Sequence, residues 1–171
     1  MENKHFVPCP QCDNLLSPAA GLCPRCGHPV RRYYGFEWKS PQRIGDWPLV
    51  HIAFGRDKQS GRFMVARGVI AIGQFGVGLI TVAQVGVGLL FGLGQFMVGA
   101  TAIAQVALTY ALALGQIAVG QTAIGQLALG RYVLAQIGWG EHVWTLKLRD
   151  PAAVEYFQAL WLSVRSFLGW G

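Results

Sequence analysis

A five-residue repeat occupies the middle of this chain and limits the folds that are open to it. From Ile70 to Glu141 the sequence reads as fourteen consecutive units, two of which carry a sixth residue. In order they are IAIGQ, FGVGL, ITVAQ, VGVGLL, FGLGQ, FMVGA, TAIAQ, VALTYA, LALGQ, IAVGQ, TAIGQ, LALGR, YVLAQ and IGWGE. Position 2 is usually small, position 3 is a branched apolar residue or Leu, position 4 is Gly or Ala, and position 5 is often Gln. We number these units repeats 1 to 14. Such regularity predicts one architecture made by stacking identical units.

Hydropathy alone predicts membrane helices in this region. Residues 68–130 contain no charged side chain, and 63 residues are enough for about three spans of ~20 residues. The period argues against helices, because a step of five residues turns about 500° and spreads equivalent positions around the helix axis. The region also holds fifteen glycines between Gly68 and Gly140, each costing roughly 1 kcal/mol against Ala inside a helix. The repeat therefore favours β structure over a polytopic helical membrane protein.

An extended chain accounts for each position of the repeat. Positions 1 and 3 point to one side and position 2 to the other, while Gly or Ala at position 4 permits a bend. Gln at position 5 can hydrogen-bond open backbone groups at the corner. Seven glutamines recur every ten or eleven residues: Gln74, Gln84, Gln95, Gln105, Gln116, Gln126 and Gln136. This rhythm fits a four-sided β-helix with 21 residues per turn, or short hairpins arranged radially with one hairpin per two repeats.

Two known families share part of this pattern. The period resembles that of pentapeptide-repeat proteins, although the polar Asp or Asn before their central apolar residue is absent here. The segments Gly68–Gly73, Gln121–Gly125 and Leu127–Gly130 resemble the GxIG-like segments of the glycine-rich β-flower family, over about residues 49–141. That resemblance implies a shallow barrel with hairpin petals and an apolar centre. The shape of the family has been compared with Tubby-like lipid-binding barrels, which implies a lipid ligand. The predicted fold class is mainly β, a short-hairpin repeat domain that is a β-flower-like barrel or a β-solenoid.

The four cysteines predict a metal site. Cys9 and Cys12 form one CPxC pair, and Cys23 and Cys26 form the second, followed by Gly27. Two such turns supply four thiolates to one tetrahedral ion, which is the closed ligand set of structural Zn²⁺. The pattern resembles short bacterial zinc ribbons, over about residues 7–30. A disulfide pair and a rubredoxin-like iron site are the alternatives. Because zinc needs reduced thiols and no signal peptide is apparent, this end of the protein is expected in the cytoplasm.

Four regions are predicted along the chain: the zinc ribbon at 1–30, a basic and aromatic linker at 31–48, the repeat domain at 49–149 and a C-terminal helix at 150–171. The linker could stack on nucleic acid bases, lie at a membrane interface, or cover one end of the repeat domain. We predict a β-hairpin from Val50–Phe54 and Arg62–Ala66, and a closing strand at Glu141–Arg149.

A helix is predicted from Pro151 to Phe167, with Asp150 as its N-cap and proline at the first helical position. Its wide apolar face predicts either a plug packed on the repeat domain or an interfacial membrane helix anchored by Trp161 and Trp170.

The sequence contains no recognisable catalytic motif, and its histidines and acids are dispersed. Ten of the fourteen Lys and Arg residues fall within residues 1–67, and the net charge is +6, which suits an acidic partner such as anionic lipid. We expect a non-enzymatic, membrane-associated binding or scaffold protein that binds lipid or a protein partner or forms homo-oligomers. The alternatives are a polytopic membrane protein with a cytosolic zinc ribbon and, less favoured, a nucleic-acid-binding module.

Overall fold

The computed structural model describes residues 6–17, 20–28, 35–57 and 61–169. The chain divides into two compact units, Met1–Tyr34 and Gly35–Gly171. The first unit contains β1 (Val7–Pro8) and β2 (Leu15–Leu16), which pair antiparallel. The elements of the second unit are β3 (Phe36–Lys39), β4 (Arg43–Ile44), β5 (Trp47–Pro48), β6 (Val50–Phe54), β7 (Val65–Trp144) and α1 (Pro151–Phe167). The described residues are therefore mainly β, with one helix at the C-terminal end, as the sequence predicts.

The extended segment β7 is 80 residues long and would reach about 260 Å if it were straight. Instead it coils and stacks on itself. A β-carbon built on Gly78 would lie 2.6 Å from the carbonyl oxygen of Gly68, and one on Gly86 would lie 2.7 Å from that of Gly76. The same approach joins Gly130 to Gly120, again ten residues apart. Each turn of the coil therefore contains two repeats.

The two six-residue repeats lengthen single turns without disturbing this stacking. Gly99 lies against Gly88, and Gly120 lies against Thr109, at offsets of eleven residues. Both intervals span a six-residue repeat. A constant offset is the mark of parallel stacking, whereas antiparallel hairpins pair residues whose numbers have a constant sum. The solenoid alternative is thus confirmed, but its turn has ten or eleven residues and not the 21 that we predicted for a four-sided β-helix.

The interior of the solenoid is one side chain thick. Position 2 is buried in thirteen of the fourteen repeats and half-buried in the last, which confirms that it points away from positions 1 and 3. Most of these interior residues are Ala or Gly. Where a larger one occurs, a neighbour is glycine: Thr81 lies between Gly76 and Gly86, and the Met97 side chain lies over Gly92. Small residues are required here because opposite walls of the coil interdigitate at close range.

The glycines at position 4 allow neighbouring turns of the coil to approach closely, and they do not adopt an unusual backbone conformation. Among the described residues, every positive φ lies outside β7. A β-carbon on Gly73 would overlap the carbonyl oxygen of Ala53 in the neighbouring turn, and one on Gly94 would overlap that of Ala83. The bend that we assigned to this position is therefore made with ordinary dihedral angles, and the missing side chain makes room for the next turn.

Positions 1 and 3 place the large apolar side chains on the outside. Because a turn holds two repeats, odd-numbered repeats form one side of the coil and even-numbered repeats form the other. We call these the helix face and the open face, since Tyr156 of α1 contacts Thr122 and Tyr132, both in odd-numbered repeats. The outward residues of the open face are Phe75, Val77, Val85, Val87, Phe96, Val98, Val106, Leu108, Ile117, Val119, Leu127, Leu129, Ile137 and Trp139.

Three strands close the N-terminal end of the solenoid. β6 pairs parallel with residues 70–73 of β7, with Val50 opposite Ile70, and it pairs antiparallel with β3. The predicted hairpin of Val50–Phe54 with Arg62–Ala66 is therefore wrong, because β6 pairs with β7 as a first turn of the stack. The antiparallel pairing that we expected between these segments is limited to a single bridge between Arg56 and Phe63. Residues 36–48, which we interpreted as linker, contain β3, β4 and β5. The hydrogen bond to backbone that we predicted for the corner glutamines is seen at Gln74, whose side chain accepts one from the Gly55 amide. The other six glutamines of the series are exposed to solvent.

At the C-terminal end β7 stops at Trp144, and residues 145–148 form a turn closed by the Thr145 amide and the Leu148 carbonyl. The predicted closing strand is thus five residues too long. Helix α1 has the predicted bounds, and the Asp150 side chain accepts a hydrogen bond from the Ala152 amide. The helix packs on the helix face through Tyr156, which bonds the Thr122 hydroxyl at 2.7 Å and stacks on the Tyr132 ring at 4.0 Å between centroids.

The apolar surface of α1 is only partly covered. Ala153 and Phe157 are buried in the first half, which agrees with a helix packed on the repeat domain. The second half leaves five large apolar side chains exposed: Trp161, Leu162, Val164, Phe167 and Leu168. Trp170, the second anchor that we predicted, lies outside the described residues.

The stability of the first turn of α1 depends on pH in the acid range, because its N-cap is the carboxylate of Asp150. The hydrogen bond from His142 Nδ1, at 3.0 Å, and then that from the Ala152 amide lower the pKa of Asp150. Because the folded-state pKa is below the unfolded value, the stabilisation is present above about pH 4 and is lost as the pH falls through the lowered pKa.

We expect Asp150→Ala to weaken hydrogen-exchange protection in the first turn of α1 at neutral pH, whereas Asp150→Asn keeps the capping oxygen and loses only the charge. Acidification should reduce protection in the wild type and leave that of Asp150→Asn nearly constant. Equal pH dependence in both proteins would contradict this role of the carboxylate.

Candidate metal centre

The four cysteine sulfurs converge on one point in the first unit. The Sγ atoms of Cys9, Cys12, Cys23 and Cys26 all lie within 4.8 Å of one another. Cys9 lies 3.6 Å from Cys26, and Cys12 lies 3.6 Å from Cys23. Tetrahedral zinc with Zn–S bonds of about 2.3 Å separates its sulfurs by roughly 3.8 Å. The cluster therefore has the dimensions of a zinc-ribbon-like site.

The two CPxC turns share one backbone design. In the first, Asp13 donates its amide hydrogen to the Cys9 carbonyl with a positive φ of 53°, and in the second Gly27 donates to the Cys23 carbonyl with a φ of 73°. A glycine directly after the second cysteine pair is visible in the sequence, and Gly27 adopts this conformation without steric cost. The equivalent role of Asp13 was not predicted, although Asp tolerates this left-handed conformation better than most residues.

The thiols perturb one another strongly. Desolvation opposes ionisation of Cys23, but the amides of Cys26 and Arg25 and the sulfurs of Cys26 and Cys12 outweigh it and lower its pKa to about 6. For Cys26 the His28 backbone favours the thiolate, while desolvation and the other three sulfurs prevail and raise its pKa to about 12. Four thiolates this close repel one another, and a divalent cation at their centre relieves that repulsion.

The sulfur positions exclude one of the predicted alternatives, a disulfide pair. All four cysteines are free, and sulfurs at 3.6 Å are far beyond the ~2.05 Å of a disulfide bond. Four thiolates close a structural site and leave no position for a substrate. Of the histidines that flank the motif, His28 is not part of the cluster and His5 lies outside the described residues. Among the residues that the structure describes, the four cysteines are the ligands available to a metal here.

A second polar site, which the sequence analysis did not identify, lies at the N-terminal end of the solenoid. A cleft of about 420 Å³ is lined by charged side chains from β3, the β4–β5 region and the start of β7. The lining residues include Glu37, Lys39, Arg43, His51 and Arg67. The hydrogen bond from Lys39, opposed by desolvation, lowers the pKa of Glu37. No local motif marks this cleft, because its residues are brought together by the pairing of β3 with β6.

His51 at the base of the cleft has a structural role. It occupies an interior position equivalent to Ala71 and is 4% exposed. Its Nδ1 accepts a hydrogen bond from the Arg67 amide at 2.7 Å, and its Nε2 lies 3.1 Å from Glu37 Oε1. Both ring nitrogens are engaged, so this histidine closes the end of the core with its polar atoms satisfied.

Several residues of the other predicted sites cannot be placed. The first part of the predicted basic and aromatic linker lies outside the described residues, including Arg31, Arg32, Tyr33 and Tyr34. Phe36 and Trp38 are exposed on β3. Over the described ranges, α1 is too short and too polar to cross a bilayer, and no other helix is present to do so.

The comparisons with known proteins add no family. No family model, no curated protein and no solved structure matches this chain. The cysteine cluster and the solenoid, and not a relative, must therefore carry the functional argument.

Proposed function

We propose that this chain is a non-enzymatic binding and scaffold protein that attaches to the cytoplasmic face of a membrane. One observation carries the proposal: the solenoid keeps its small residues inside and places its large aliphatic and aromatic residues outside. Monomeric soluble proteins rarely expose continuous apolar patches larger than a few hundred Å², and larger ones mark interaction sites. The repeat domain therefore supplies surface for binding rather than a pocket for chemistry.

The second half of α1 is the part best suited to lipid. Phe167 is 91% exposed, and Leu162 and Trp161 are about 60% exposed on the same two turns. Arg165 lies among them. An apolar helical surface with an aromatic anchor and a basic residue is typical of helices that lie in the membrane interface. The excess of Lys and Arg in the chain would add attraction to anionic headgroups.

The cysteine cluster gives the first unit its function in this proposal. We assign it structural Zn²⁺, because four thiolates form a closed tetrahedral set and because thiols remain reduced in the cytoplasm. A small ribbon stabilised in this way presents a rigid surface to a protein partner. An enzymatic role is not favoured, since the closed metal site has no open coordination position.

Vesicle flotation tests the lipid proposal. We expect the full-length, zinc-loaded protein to float with vesicles of phosphatidylcholine and phosphatidylglycerol, and less well with phosphatidylcholine alone. Leu162→Ser with Phe167→Ser should reduce the partition coefficient tenfold or more, because burying such side chains contributes about 1.5–3 kcal/mol each. Ala152→Ser with Ala159→Ser, on exposed positions of the same helix, is the matched control and should float like the wild type.

Two results would contradict membrane attachment through α1. One is failure of the wild-type protein to float with either vesicle. The other is equal flotation of the two double variants.

A further inference from the structure

The open face is apolar over all seven of its rungs, each rung being one even-numbered repeat. None of its fourteen outward side chains is charged. Val98 is 39% exposed near its middle, Leu129 is 51% exposed and Trp139 is 59% exposed at its end. Because α1 packs on the opposite, helix face, no described helix covers it. We propose that the open face binds the open face of a second copy of this chain, forming a two-fold dimer.

The spacing of the rungs favours a second copy over other partners. Stacked β turns repeat about every 4.8 Å, so side chains from one face fit between those of another face only if that face has the same spacing. A second copy of the chain has the same spacing because it has the same fold. Sheets packed in this way interdigitate their side chains at about 10 Å separation. The Val, Ile and Leu residues of the face also lose little side-chain entropy when they are held in place.

The area is sufficient for a stable pair. Six steps separate the first and last rungs of the open face, which gives a height of about 29 Å. Seven rungs with two partly exposed apolar side chains each would bury on the order of 600 Å² per copy. The total of about 1,200 Å² lies at the lower end of the range for specific, stable interfaces.

The charges at the two ends of the face define the orientation of the second copy. Exposed Arg67 precedes the first rung at an outward position and also lines the polar cleft. Glu141 follows the last rung at a corner position, where it pairs with Arg131 of its own chain at 3.0 Å. In a two-fold arrangement with opposed solenoid axes, each Arg67 approaches the Glu141 of the other copy. A parallel arrangement would place like charges together. The interface is therefore isologous, with its axis near Val98 and Leu108.

This inference rests on the proposed use of the outer surface for binding but is separate from lipid attachment, so it has its own test. Sedimentation velocity of the full-length, zinc-loaded protein without lipid or detergent should show a reversible dimer. Val98→Lys buries a charge at the centre of the interface and should raise the dimer dissociation constant at least 100-fold. The matched control is Ile103→Lys, at the same repeat position on the helix face with 43% exposure, which should change it less than threefold.

A charge swap tests the orientation. Arg67→Glu should weaken the dimer. Adding Glu141→Arg together with Arg131→Glu, which keeps an ion pair between positions 131 and 141, should restore it. Leu129→Lys is a second open-face variant in case Val98→Lys does not fold.

Three outcomes would overturn the inference: a monomeric wild type at 100 µM concentration, equal effects of Val98→Lys and Ile103→Lys, or loss of vesicle flotation in Val98→Lys with an unchanged oligomeric state. The last would assign the open face to lipid.

Discussion

Ala118→Met should destabilise the repeat domain by about 3 kcal/mol, because an interior one side chain thick has no space for three additional heavy atoms. Ala118 is fully buried, and the interior residues around it are Ala107, Ala113, Ala123 and Ala128, all buried as well. Met97 is accommodated in the same column only because Gly92 and Gly86 lie five and eleven residues before it. Thermal or urea unfolding of the full-length protein measures the loss.

The chain offers both a control and a suppressor for this prediction. Val119→Met changes the adjacent outward-facing residue and should alter stability by less than about 0.5 kcal/mol. Ala107→Gly with Ala113→Gly reproduces around position 118 the two glycines that precede Met97. Added to Ala118→Met, this pair should recover part of the lost stability, even though each glycine costs about 0.5–1 kcal/mol. If the suppressor pair makes Ala118→Met still less stable, the space-filling account of the core is incorrect.

Removing the metal should unfold the first unit and leave the second intact. Among the described residues of the first unit, the buried apolar cluster consists of Cys9, Cys23 and Leu16, which is a very small hydrophobic core. Metal binding contributes on the order of 10 kcal/mol to folding in small zinc domains. We therefore expect Cys9→Ser with Cys26→Ser to abolish metal binding and to expose residues 6–28 to protease.

Mass spectrometry of the native protein should detect one zinc ion in the wild type and none in the double variant. Gln11→Ser is the matched control, since it alters an exposed residue between two ligands and should retain the metal. The unfolding transition of the repeat domain should be the same in all three proteins. A lowered repeat-domain transition in the cysteine variant would show that the two units do not fold independently.

The sequence was sufficient for the local chemistry of this protein. The spacing of Cys9, Cys12, Cys23 and Cys26 identified the whole ligand cluster, because CPxC turns bring their two sulfurs together through local backbone geometry alone. Asp150 followed by Pro151 located the start of α1 for the same reason. The step of five residues distinguished strand from helix, since an extended chain that bends once per repeat keeps position 2 in the interior, whereas a helix spreads that position around its axis.

What depends on contacts between distant residues could not be derived. The ten-residue rhythm of the glutamines fits a hairpin, half of a four-sided turn or a complete two-sided turn equally well. The choice depends on which carbonyl approaches Gly130 or Gly78, and no single repeat encodes that. The alternation in Val50–Phe54 indicated a strand but not its partner, so an adjacent hairpin was predicted where a parallel pairing with residues 70–73 forms.

Because each turn consists of two repeats, the length of this domain can change only by whole turns. Each ten residues advance the coil by about 4.8 Å, and each turn presents the same edge to the next. Deleting one complete pair of repeats, such as residues 117–126, would therefore join compatible edges and shorten the domain by one step while keeping every remaining side chain on its face. Deleting a single repeat would instead exchange the two faces beyond the cut, and would move the site on which α1 packs to the opposite side.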